Sequence, residues 1–125
     1  MMLSNEKEVK KWLRNFAVIK KELELKIRFY RELADEFKMV PAFKKQCDTY
    51  KEEVKKQQVK FNRHMADMEK LFSHLDEGER LVMTARYISC VKWDYIEMHA
   101  FYSRRQAIRV HDGAIPKLVG CRVGE

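Results

Sequence analysis

Glycine and proline are scarce, four and two in 125 residues. A chain so poor in turn-formers cannot be punctuated every ~8–12 residues, as a β-sandwich or barrel requires, and long helices are the natural reading. The three cysteines, Cys47, Cys90 and Cys121, are odd in number and far apart. That pattern argues against a disulfide framework and fits a reducing compartment. No CxxC or HxxxH spacing gathers zinc ligands, so no metal is expected, and His64, His74, His99 and His111 read as surface or packing residues. No apolar run approaches the roughly 18 residues of a membrane span. The opening MMLSNEKEVKKW carries charge where a signal peptide would be apolar. There is no glycine-rich phosphate loop, and no Ser, His and Asp stand in a suggestive context. Asp76, Glu77 and Glu79 are close in sequence, but acids belong in a first helical turn. The expectation is a soluble, cytoplasmic protein that is not an enzyme, with no catalytic residue, no cofactor and no membrane partner.

Charge is plentiful. Asp, Glu, Lys and Arg make up 36% of the chain, hydrophobic residues 46%, and the net charge is +7. The first 75 residues hold 18 Lys and Arg against 12 Asp and Glu; residues 76–100 hold 3 against 5, and residues 101–125 hold 5 against 2. A basic balance permits nucleic-acid binding without showing it, since solvated lysines give the same total.

From about Asn5 to Lys38 the apolar residues keep heptad time. Val9, Phe16, Leu23, Tyr30 and Phe37 fall seven apart; Trp12, Ile19 and Leu33 occupy the alternate position, with Lys26 the one break. That seam predicts a helix about 50 Å long at 1.5 Å per residue. Pro41 stops it by forcing Val40 out of the helical region. A second seam follows through Cys47, Val54, Phe61, Met68 and Leu75, with Tyr50 and Leu71 between and polar Gln57 and His64 in the remaining places. Aromatics at this spacing are core residues. A short connection between two such helices predicts an antiparallel, coiled-coil-like hairpin over residues 1–75. Two helices alone bury little, so the hairpin needs a third surface, either the chain's own C-terminal half or a second copy; a homo-oligomer is expected, with Lys26, Gln57 and His64 setting its register.

After Leu75 the rhythm changes, and residues 76–125 read as a second domain. Asp76 or the acidic turn around it starts a helix whose apolar face would be Leu81, Val82, Ala85, Tyr87 and Ile88. A break at residues 89–91 precedes KWDYIEMHA, with Trp93, Ile96 and Met98 inward. FYS makes a tight connection at Phe101. Ser103 with Gln106 forms a capping box that opens the last helix, running to about Ile115, where Pro116 would kink or end it. Three short helices, the last two joined by a tight turn, make a helix-turn-helix.

The last helix begins unusually. Arg104 and Arg105 sit in its first turn, where the macrodipole is already positive and each cation costs about 0.3–1 kcal/mol. Ala107, Val110, Ala114 and Leu118 would face inward, while Arg104, Arg105, Gln106 and Arg109 cluster outside, with Ile108 and His111 beside them. In a helix-turn-helix this end enters the major groove of double-stranded DNA. Arginine matches guanine O6 and N7, and glutamine matches adenine N6 and N7. The candidate DNA-binding residues are therefore Ser103, Arg104, Arg105, Gln106, Ile108, Arg109 and His111.

The stretch RYISCVKWDYIEMHAFYSRRQAIRVHDGAI, Arg86 to Ile115, resembles the C-terminal module of small phage transcription regulators of the RinA and ArpU type. Those in turn resemble region four of bacterial sigma factors. The resemblance rests on Arg86, Tyr87 and Ile88, on Trp93 with Ile96, on Tyr102 and Ser103, and on Arg109, His111 and Ala114. Cys90 and Val91 stand where a glycine-bearing turn is usual, and Phe101 and Pro116 also differ. The resemblance implies an all-α regulator acting on late genes of a phage or prophage, with RNA polymerase as a further candidate partner. Two rivals stand beside it: a coiled-coil adaptor that docks on another protein, and the DNA-recognition subunit of a phage packaging machine.

Overall fold

The computed structural model of the chain describes residues 1–100 and 102–124, the side chains of 97–100 excepted. Among them the protein is all-helical. Helix α1 spans Glu6–Met39, a 3-10 turn spans Pro41–Phe43, α2 spans Lys44–Phe72, α3 Glu77–Met83, a π-helical turn Thr84–Ile88, α4 Trp93–Ala100 and α5 Arg104–Leu118. The expected inward placing of Met98 and the turn at Phe101 lie outside the described residues.

Local chemistry accounts for the ends. Asn5 Oδ1 accepts the Glu8 N–H at 2.9 Å while Glu8 Oε2 accepts the Ser4 N–H at 2.8 Å, so the first turn of α1 is capped from both sides. Val40, before Pro41, is extended at φ −132° and ψ 99°, as the proline ring demands. Asp76 caps α3 in a reciprocal box: its carboxylate accepts the Glu79 N–H at 2.8 Å, and Glu79 accepts the Asp76 N–H at 3.1 Å. The backbone bond to Glu79 is the main reason the Asp76 carboxyl lies below its ordinary pKa. Helix α5 continues past Ile115 and through Pro116. The carbonyl that the proline's missing N–H would have served belongs to Asp112, on the exposed face one turn from the end, where the loss is cheap.

The chain divides into two compact units, and the division falls inside α1 and α2 rather than at the expected boundary after residue 75. One unit comprises Met1–Ala17 with His64–Glu125; the other comprises Val18–Arg63. The reason for the difference is apolar burial. In the first unit Leu3, Val9, Leu13 and Phe16 join Met68, Leu71, Phe72 and Leu75 as core residues, together with Val82, Met83, Ile96, Ala114, Ile115 and Leu118. The start of α1 thus belongs with the C-terminal half. Its seam residue His64 is buried and stacks on Trp12 with ring centroids 4.3 Å apart. Residues near both ends pair antiparallel. The Leu3 N–H donates to Cys121 O at 2.9 Å, the Gly120 N–H to Leu3 O at 2.6 Å and the Val123 N–H to Met1 O at 2.8 Å. Gly120 turns there at φ +88°, the left-handed region that glycine adopts freely.

The second unit is narrower in what it buries: Ile19, Leu23, Cys47 and Gln57. Gln57 Nε2 donates to Ile19 O and to Glu22 Oε2, both at 3.2 Å, and Gln57 Oε1 accepts from Lys26 at 3.4 Å. Lys26 also lies 3.5 Å from Glu53. The two polar seam residues thus satisfy one another within the chain, which meets the demand of a buried amide.

The apolar face expected for residues 81–88 needs one correction. Leu81 is 46% exposed, and Met83 is fully buried in its place. The α-helical spacing of α3 is the physical reason: Glu79, Val82 and Met83, three and four residues apart, share the buried face, which leaves Leu81 turned away from it. Cys90 then adopts φ +57° and the Val91 N–H reaches back to Ala85 O at 2.9 Å, closing the helix with a left-handed residue where glycine is usual.

Phe72, 1% exposed, anchors the larger core. Phe72→Ala should lower the unfolding free energy by about 3–5 kcal/mol. Val59→Ala, at a position 57% exposed, should stay within about 0.5 kcal/mol. Urea denaturation of both variants measures the contrast.

Candidate nucleic-acid interface

Helix α5 is positioned by small residues and by its cap. Val82, Ile96 and Ala107 form a buried cluster, flanked by Ala85, Val91, Trp93, Tyr102 and Val110. Ala107 has no side chain beyond Cβ, so α5 can approach α3 and α4 closely there. Tyr102 seats the segment before the helix over Gly78: a Cβ on that glycine would lie 2.6 Å from the Tyr102 hydroxyl. Ser103 Oγ accepts the Gln106 N–H at 3.2 Å, and Gln106 Oε1 accepts the Ser103 N–H at 3.1 Å. The capping box read from the sequence is present. A second clamp, absent from the sequence reading, joins the last turn of α5 to α3. Lys117 donates to the buried Glu79 carboxylate at 2.8 Å, a bond that raises the Lys117 pKa.

The candidate residues divide by face. Ser103, Arg104, Arg105, Gln106 and Arg109 are exposed, and Ile108 is half-buried. No acid stands in the first turn of α5. Arg104 Nε lies 3.4 Å from Asp94 on α4, with side chains 61% and 75% exposed. A pair that open to water contributes roughly 0–1 kcal/mol and leaves the guanidinium reachable. Arg105 and Arg109 have no carboxylate partner among the described residues. Gln106 is differently placed from its expected role as a base reader, because its Oε1 already serves the cap.

His111 corrects the expectation more sharply. It is 6% exposed and belongs to the inward stripe with Ala107, Ala114, Ile115 and Leu118. The spacing 107, 111, 114, 118 is one continuous helical stripe, so His111 joins the inner face, while the half-buried Val110 packs at its edge against the Val82, Ile96 and Ala107 cluster. Its imidazole lies edge-on to Trp93, with centroids 5.1 Å apart. Nδ1 is 2.9 Å from Asp112 Oδ1, and Nε2 is 2.6 Å from the Tyr87 hydroxyl. An ionised carboxylate only accepts, so Nδ1 carries the hydrogen and Nε2 accepts from Tyr87. Burial holds the His111 pKa below its ordinary value; Asp112 opposes this, while the positive charges of Lys10 and Arg86 add to it. Burial likewise pushes the Tyr87 phenol up.

Comparisons with protein-family models, with curated proteins and with solved structures find no match for this chain.

What the face can do chemically is bind anions through exposed, weakly partnered guanidinium groups on a rigid helix end. It offers no nucleophile with an adjacent base. Among the described residues no three His, Cys, Asp or Glu side chains are grouped to hold a metal, and no helix is long and apolar enough to cross a membrane. Gly78 and the Asp112–His111–Tyr87 chain were not legible beforehand, since contacts between distant residues leave no local signal.

The buried imidazole predicts an acid-sensitive fold. Its unfolded value is near 6.5 and its folded value is lower. Above the unfolded value its contribution is constant; as pH falls from there toward the folded value, the unfolded chain takes up a proton that the folded one resists, and stability declines. His111→Gln keeps an acceptor for Tyr87 and removes the proton site. The drop in urea midpoint between pH 7.5 and 5.5 should shrink in that variant.

Proposed function

We propose that this protein is a sequence-specific DNA-binding transcription regulator of phage or prophage origin, acting on late genes. In this reading α4 and α5 are the two helices of a helix-turn-helix, α5 being the one that enters the major groove. Residues 18–63 are an antiparallel helical hairpin that assembles copies of the chain. The contacts of Ile19 with Gln57, Lys26 with Glu53 and Phe29 with Tyr50 support it, because one partner's number rises as the other's falls. RNA polymerase is a further proposed partner, on the resemblance to sigma region four.

One observation carries the proposal. Arg104 and Arg105 stand exposed in the first turn of α5, which holds no acid and where the helix dipole opposes them, and exposed Arg109 follows one turn on. Phosphates and guanine edges reverse that penalty, each good bidentate pair contributing about 1–3 kcal/mol. Ser103 and Gln106 hold the turn, Arg105 and Arg109 reach outward, and Arg104 exchanges Asp94 for a phosphate. Ile108, half-buried at the rim, offers an apolar contact to a thymine methyl. His111 acts from within by supporting α5.

A second reading, a helical adaptor docking on another protein, is favoured by one feature. Val18, Leu25 and Phe29 are 53%, 39% and 49% exposed and fall on one side of α1 by helical spacing. A packaging-machine subunit would show ring-sized assemblies in light scattering, where a regulator shows a small oligomer.

Binding to a duplex from the DNA flanking its gene should weaken with salt at a log–log slope near −4 to −5, the response for about four to six neutralised phosphates. Arg105→Ala with Arg109→Ala should reduce affinity at least tenfold and flatten that slope, with the oligomer intact. Fluorescence anisotropy across a salt series measures both. A flat response in the unaltered protein overturns the proposal.

A further inference from the structure

The larger unit holds a cavity of about 300 Å³ that no residue of the exposed first turn of α5 lines. Its wall includes Lys10 and Arg14 from α1, Arg86 and Tyr87 from the π turn, Trp93 from α4 and His111 from α5. Three cations line it and no carboxylate does. Among the described residues none of the three is engaged in an ion pair, although six other Lys or Arg pairs with carboxylates are present there.

Arg86 is held in place. Its guanidinium stacks on the Trp93 ring at 4.8 Å from the centroid and donates to Val91 O at 3.2 Å. One face and one N–H are thereby occupied, while the remaining donors stay free for a guest. The positive charges of Lys10 and Arg86 reach the His111 ring, and those of Arg14 and Arg86 reach the Tyr87 phenol, with Asp112 behind the ring opposing them at both groups. The wall is built on a π turn, a costly form that recurs at binding sites. A volume of roughly 300 Å³ is at the lower bound for small-molecule pockets. Like charges gathered on one wall disfavour one another, and a multiply charged anion removes that cost.

We infer that this cavity binds a small phosphorylated molecule, its phosphate held by Lys10, Arg14 and Arg86 and the rest of it resting against Trp93. The same chemistry could come from a phosphate of the DNA backbone. A wall drawn from four elements around the Trp93 ring, open on one side, favours a free ligand, and the experiment separates the sources.

Inorganic pyrophosphate is the probe, titrated calorimetrically into the full chain at low salt, with the thermal midpoint followed in parallel. Saturable one-to-one binding with a Kd of roughly millimolar or tighter and a rising midpoint are expected. Lys10→Ala and Arg14→Ala each remove one cation from outside the fully buried core and should weaken binding about tenfold, the loss of a charge-assisted contact. Lys55→Ala, on the exposed surface of α2, should change nothing. Absence of saturation, or equal binding by the Lys10→Ala, Arg14→Ala double variant, overturns the inference. So does a double variant that loses duplex affinity while pyrophosphate binds neither protein, because the cations would then belong to a DNA-backbone contact. The Arg105 and Arg109 variants leave this cavity untouched, so failure here and failure of the DNA-binding proposal are read separately.

Discussion

The larger unit depends on the burial of one narrow stripe along α5. Ala107, His111, Ala114, Ile115 and Leu118 face inward at helical spacing, and two of the five are alanines that let neighbouring backbones come close. Once that stripe is buried, the opposite side has no choice of direction: Arg105 and Arg109 must point to solvent. The cap at Ser103 and the bond from Lys117 to Glu79 then hold the two ends of the helix. A rigid base is what converts flexible arginines into an oriented cationic surface, since each contact with an anion loses less freedom when its backbone is already ordered.

The two units solve burial by different means. The larger one excludes water with Phe16, Phe72, Met68 and Met83, all essentially inaccessible. The smaller one places an amide among its few buried side chains and satisfies it with a backbone carbonyl, a carboxylate and an ammonium group. A buried polar cluster of this kind contributes little net stability but penalises any slipped register, because a shift leaves its members unpaired. That accounts for Lys26 and Gln57 interrupting otherwise apolar seams.

His111 links the two faces of the C-terminal half. It rests on the inner side of α5, the helix whose outer side carries the arginines, and it also closes the cationic cavity. Its neutral, Nδ1-protonated form is the one that suits both hydrogen bonds. A side chain with those neighbours resists a proton because burial disfavours its charged form.

The sequence by itself determined the helical class and most helix ends, because those are decided by nearest neighbours: Val40 before Pro41, Asp76 with Glu79, Ser103 with Gln106. It also marked the arginines of the first turn of α5 as out of place, a conflict between charge and dipole visible without coordinates. It did not reveal that α1 begins in one compact unit and ends in the other, since a heptad seam looks the same whichever surface covers it. The inward turn of His111, the exposure of Leu81 and the gathering of Lys10, Arg14 and Arg86 were decided only by tertiary structure. Each depends on which surface, supplied by residues far apart in the chain, covers the helix face concerned.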